Sequence, residues 1–200
     1  YSHSGQRKFL AEGIPLVEVD VNMIMVDFYA DYPHPYKKGE MPASWTFYAE
    51  APMSDHLESA LLEPLSYAIS GRTQEDSANM LINFVQTAFE YQTDELQWGY
   101  ERPFFPEETL YYPFSDCEDR AILFSCLIRE LLGLDVVFLY YPGHLATAVR
   151  FDENISGDYV MVGGEKYLVC DPTYINAPIG RQMPGLDVEN VKVIKISQTL

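Results

Sequence analysis

Basic residues are scarce in this chain: 13 Lys and Arg stand against 30 Asp and Glu, a formal net charge of −17. Nucleic acids and anionic membrane surfaces are held by clustered Lys and Arg, so this balance speaks against both. Cysteine is scarcer still. Cys117, Cys126 and Cys170 are too few for a disulfide scaffold and leave at least one thiol unpaired. None falls in a CxxC pair or a Cys/His cluster at ligand spacing, which argues against structural zinc and leaves the redox compartment undetermined. No run of 18 apolar residues occurs, so no membrane-spanning helix is expected. A DxDxDG loop is also missing, and the expectation is no metal and no cofactor. Neither an initiating Met nor an apolar signal region opens the chain at Tyr1, which reads as a piece of something longer.

What is present describes a folded domain. Two hundred residues suffice for one core, and 28 aromatics (15 Tyr, 11 Phe, 2 Trp) exclude a disordered chain. One domain over 1–200 is expected, with a strand region over 1–52 ahead of a core over 53–200. Val17, Val19 and Val21, then Ile24, Val26 and Phe28, then Trp45, Phe47 and Tyr48 suggest two or three strands, parted by a turn-rich stretch from Tyr32 to Pro42. Helical spacing follows. Ser54 and Asp55 mark a start for Leu57, Leu61, Leu62 and Leu65, with Pro64 a kink or break. Thr73 and Asp76 resemble a capping box before Ala78, Leu81, Ile82, Val85 and Phe89, a helix ending near Tyr91. Residues 92–115 are rich in Pro and aromatics and read as an irregular, functional loop.

From Cys117 to Leu132 the sequence CEDRAILFSCLIRELL is apolar over most of its circumference past the first turn. It predicts a buried central helix, capped by Ser115 and Asp116 and stopped at Gly133. Cys117 falls in the first turn, where free N–H groups and the helix dipole favour a thiolate and offer an oxyanion site. Asp116, Glu118 and Asp119 repel that charge, so a nearby cation is required, and a protonated histidine is the usual one. Strands are expected at 135–141 and 144–151 around the turn Pro142-Gly143, and a hairpin at 159–162 and 166–171 around Gly163-Gly164. Alternation puts His144, Ala146 and Ala148 on one face, a low surface for the helix to pack on. An antiparallel pairing of the 144 and 166 strands would bring Asp171 to His144, giving nucleophile, base and orienter.

Each of these residues also has an ordinary explanation. Free cysteines are most often core, and Cys126 and Cys170 are read so. His3, His34 and His56 have no partner in view. Aromatics between Trp98 and Tyr112 pack more often than they bind, although Trp98 and Tyr112 are candidates for a substrate groove. Cys117, His144 and Asp171 could also hold a metal as a mixed sulfur, nitrogen and oxygen set, but the spacing suits acyl transfer better.

Residues 91–180 resemble the transglutaminase-like superfamily, in particular bacterial transglutaminase-like cysteine peptidases. The resemblance lies in PEETL (106–110), DCEDRAILFSCLIRELLG (116–133), GHLATAV (143–149) and KYLVCDPT (166–173). One departure is Ser115, where that family usually has Gly. The resemblance implies an α+β fold of papain/transglutaminase-like type, a nucleophile-bearing central helix packed on an antiparallel sheet; the extra N-terminal strands expected from the pattern lie outside it. It implies Cys117, His144 and Asp171 as the triad, with an upstream oxyanion donor among Gln86, Tyr91 and Gln92. The implied activity is thiolate attack on a peptide or carboxamide, by hydrolysis or by cross-linking to an amine, in an extracytoplasmic bacterial protein. A non-catalytic module binding peptide or glycan through the aromatic loop is the competing expectation.

Overall fold

The computed structural model describes residues 4–32 and 44–197. His3, His34 and the turn-rich stretch after Tyr32 lie outside them. The fold is α+β.

The chain begins with an antiparallel hairpin, β1 (Ser4–Ala11) and β2 (Ile14–Asn22). In β2 the alternation holds: Val17, Val19 and Val21 face inward and are buried. The next two expected strands are helices, α1 (Met23–Ala30) and α2 (Ser44–Glu50), so among its described residues the strand region over 1–52 is corrected to one hairpin and two helices. Nearly every residue of α1 is apolar, so the 24/26/28 alternation carried no information. Asn22 caps the helix by accepting the Ile24 N–H at 3.0 Å, and Val26 and Tyr29 are buried three apart while Ile24 and Phe28 are exposed. In α2 the buried set is Trp45, Tyr48 and Ala49, again a helical stripe.

Helix α3 (Asp55–Ile69) starts where expected, with Ser54 accepting the Leu57 N–H, and it runs through Pro64. A mid-helix proline costs about 3 kcal/mol. Burial of Leu57, Leu61, Leu65 and Ile69 along one stripe spanning the proline offsets that. Helix α4 (Gln74–Ala88) is capped by Thr73, whose hydroxyl accepts the Asp76 N–H at 3.1 Å, and it ends three residues before Tyr91. The stretch 92–115 is more regular than expected, with α5 (Asp94–Gln97) and α6 (Pro106–Tyr111). A short parallel pair, β3 (Glu90–Tyr91) with β4 (Phe114–Ser115), closes it.

The central helix α7 (Cys117–Leu132) and its Gly133 stop (φ 65°) are as predicted. Behind it lies a five-stranded antiparallel sheet in the order β7-β8-β6-β5-β9, formed by β5 (Asp135–Tyr141), β6 (His144–Arg150), β7 (Tyr159–Val162), β8 (Glu165–Cys170) and β9 (Lys192–Lys195). The packing face differs from expectation. Helix α7 shares its core with Leu145, Val149, Leu168 and Cys170. Ala146 and Ala148 belong to a second core with Val137, Leu139, Tyr141 and Val169, covered by Leu186 and Val191. The larger β-branched and aliphatic residues bury more area against the helix than alanine can, and they decide the face. No helix among the described residues is long and apolar enough to cross a membrane.

Candidate active site

Cys117 opens α7, and buried side chains of the same turn hold the surrounding loops. Asp119 accepts the N–H of Asp116 at 3.2 Å and that of Phe104 at 2.8 Å. Asp116 accepts the Asp94 N–H at 3.4 Å. Arg120 is fully buried and donates to Ser115 Oγ and to the carbonyls of Phe89 and Gln86. The Asp-Cys-Glu-Asp-Arg run thus ties the end of α4, the start of α5, the strand β4 and the loop before α6 to the start of one helix. Ser115 serves as one of these ties.

His144 reaches the same place from the sheet. Gly143, at φ 79°, turns the chain between β5 and β6, and the pairing Tyr141↔His144 sets the imidazole at the hairpin's end. Strand β8 runs antiparallel to β6, with Thr147 opposite Cys170, so Asp171 emerges beside the start of β6. His144 Nε2 lies 2.8 Å from Asp171 Oδ2. The other carboxylate oxygen of Asp171 accepts the N–H of Thr173 at 2.9 Å and of Tyr174 at 3.3 Å. Burial would depress the imidazole, but hydrogen bonds to Asp171 and Cys117, and the charges of both, raise it to about 10. With Nε2 committed to Asp171, Nδ1 is the ring nitrogen left for Cys117.

Cys117 and His144 line a cavity of about 240 Å³ together with Trp45, Tyr91, Asp94, Glu101, Glu118 and Tyr140. Cys117 is partly accessible there, whereas Cys126 and Cys170 are buried, as expected of core cysteines. Burial pushes the Cys126 thiol up to about 12 and raises Cys170 as well.

Of the three oxyanion candidates, Tyr91 lines the cavity, with Arg120 5.5 Å from its ring centre. Gln86 is committed elsewhere: both N–H groups of its amide are used, one toward the Asp171 carbonyl and one toward that of Ala177, each at 3.1 Å. Gln92 does not line the cavity; its N–H joins the β3–β4 ladder through Ser115. The groove candidates Trp98 and Tyr112 do not line it either. With Phe104 they surround the guanidinium of Arg102, at 4.4, 5.5 and 5.0 Å from its carbon. That guanidinium is itself buried against Glu108 at 2.5 Å. Spacing could not reveal this use of the aromatics, because a groove and a cation cage draw on the same residues.

The cavity's acidic wall was also missed. Carboxylate oxygens of Asp94, Glu101 and Glu118 come within 4.8 Å of one another, a set of hard donors able to hold a divalent cation. Their separation along the chain gives no loop signature. Burial, then the charge of Asp116, raises Asp94 to about 8. Burial, then the Cys117 charge, lifts Glu118 well above the carboxylate range. Cys117 Sγ donates to Glu118 Oε2 at 3.1 Å.

The chain matches no family model and no curated protein.

Proposed function

We propose that this protein is a cysteine-dependent acyl-transfer enzyme on a papain/transglutaminase-like core, acting on peptide or carboxamide substrates. The observation that carries the reading is His144, hydrogen-bonded to Asp171 through Nε2 and opening with Cys117 onto one cavity. In this reading the Cys117 thiolate attacks the substrate carbonyl carbon. The negative charge that develops on the carbonyl oxygen is met by N–H groups at the start of α7 and by Tyr91. The imidazolium of His144 gives its proton to the leaving amine, and a thioester remains on Cys117. Water then loses a proton to His144 and attacks the thioester, releasing acid and restoring the thiol. Asp171 holds the ring and stabilises its charge.

Hydrolysis is favoured because it needs no second substrate. Cross-linking is the second reading, favoured by the aromatic walls Trp45, Tyr91 and Tyr140, which would keep water from a thioester. Incubating the protein with a glutamine-containing casein and a labelled primary amine tests both. Cleavage or deamidation that vanishes in Cys117→Ala supports the hydrolytic reading. Amine incorporation without either product replaces it with cross-linking. No product with reduced, accessible Cys117 removes the enzymatic reading and leaves a binding module.

A further inference from the structure

The Asp171 carboxylate is aimed by the turn that follows it, since one of its oxygens is taken by the N–H groups of Thr173 and Tyr174 and the other faces His144. What fixes that turn lies across the core, on α4. Gln86, 1% exposed, makes three hydrogen bonds to it: its amide N–H groups donate to the carbonyls of Asp171 and Ala177, and its Oε1 accepts the N–H of Asn176, each at 3.1 Å. Asn176 has φ 62°, the one non-glycine residue with positive φ among the described residues. Its left-handed conformation directs an N–H that Gln86 receives. The three bonds close the segment 171–177 as a clasp.

We infer that Gln86 is a positioning residue for the proposed acyl transfer, acting through Asp171 to hold the imidazole of His144 in its working orientation. The inference rests on the Cys117–His144–Asp171 reading. The chemistry of the position admits little else. Two donors and one acceptor must leave a single planar group in a buried site; a carboxylate has no donor to give, and a thioether has no donor and only a weak acceptor. Helix α4 supplies its own comparison. Asn79, two turns earlier on the same face, accepts the Ile179 N–H at 2.9 Å and holds the same segment beyond the turn. It anchors the chain without touching the part that aims Asp171.

The experiment follows the His144 imidazole by NMR pH titration in histidine-labelled protein, assigned by its loss in His144→Ala. Wild type, Gln86→Glu, Gln86→Met and Asn79→Leu are compared. Gln86→Glu keeps the acceptor for Asn176 but loses the donors and adds a buried charge, whereas Gln86→Met removes all three bonds without adding charge. With the Asp171 carbonyl released, the His144 midpoint should fall by about one pH unit or more in both Gln86 variants, roughly a tenfold change in proton affinity. In Asn79→Leu it should stay at the wild-type value even where the protein melts earlier, which separates aiming from general support. On an active substrate, kcat should fall with KM unchanged in the Gln86 variants alone. A raised wild-type midpoint that both Gln86 variants retain overturns this inference and leaves the acyl-transfer reading standing. A wild-type midpoint at or below 6.5 overturns the acyl-transfer reading itself, and this inference with it. If neither Gln86 variant folds, Gln86 is a structural residue and the inference is overturned.

Discussion

His144 and Asp171 stand 27 positions apart in sequence and meet at 2.8 Å, Nε2 to Oδ2, with the carboxylate 1% exposed. A buried carboxylate touching one ring nitrogen fixes which nitrogen is left for the thiol. The pair therefore governs both the ring's charge and its direction.

Thiol reactivity should follow from that arrangement. Cys117 faces a cavity beside His144, while Cys126 and Cys170 are buried with their thiols pushed up. At neutral pH, iodoacetamide should modify Cys117 at least about tenfold faster than either of the others, and His144→Ala should slow it. Peptide mapping of the alkylated protein gives the three rates. Equal rates in the folded protein would refute the assignment of Cys117.

Stability should depend on pH through the same ring. The folded protein raises His144 from 6.5 to about 10, so its contribution is fully present below about 6.5 and is lost as pH rises through 10. The loss is on the order of a few kcal/mol, and Asp171→Asn should shrink it. Urea unfolding at pH 6 and pH 10 measures it. Equal losses in wild type and Asp171→Asn would show that the dependence does not come from this pair.

Arg102 and Glu108 form an ion pair that is 2% and 0% exposed. Removing one charge strands the other in the core, so Arg102→Met should cost about 3–5 kcal/mol. The double variant Arg102→Met/Glu108→Gln should recover a large part of that. Denaturant midpoints of the two single variants and the double variant form a cycle, and simple additivity would show that the pair is not coupled.

Pro64 withholds an N–H from Ala60 inside a helix that its neighbours hold in place. Pro64→Ala should stabilise the protein by about 1–3 kcal/mol, less whatever the freer unfolded chain takes back. A lowered melting temperature would mean that the ring packs better than its half-burial indicates.

Local signals were legible wherever one residue type decides a local conformation. Ser54, Thr73 and Gly133 bound their helices because a hydroxyl cap and a left-handed stop are chemistry within a few residues. Two turns located the strands, but the antiparallel pairing that joins His144 to Asp171 was only a condition in the sequence, which the observed register meets. Segment 23–30 was misread because a nearly uniform apolar run satisfies a strand period and a helix period alike, and in 44–50 the set Trp45, Phe47 and Tyr48 is too short to separate them; burial against neighbours then chooses. The face of β6 that meets α7 was misread for a related reason: small residues permit close approach, but larger ones gain more from it. The cage around Arg102, the clasp of Gln86 and the acidic wall escaped because each joins residues through space, leaving no spacing to read.

The cavity walls carry a consequence for assembly. They begin at Trp45 and end at Leu145, with Tyr91, Cys117 and Tyr140 between, so half the chain contributes to one opening. Contacts of such sequence separation form late, because each must close a long loop before it is rewarded. The helices can gather around α7 while the opening does not yet exist, and the thiol is then bare rather than housed. On the acyl-transfer reading, the reactivity of Cys117 would therefore wait on the docking that brings His144 and the cavity walls to the start of α7.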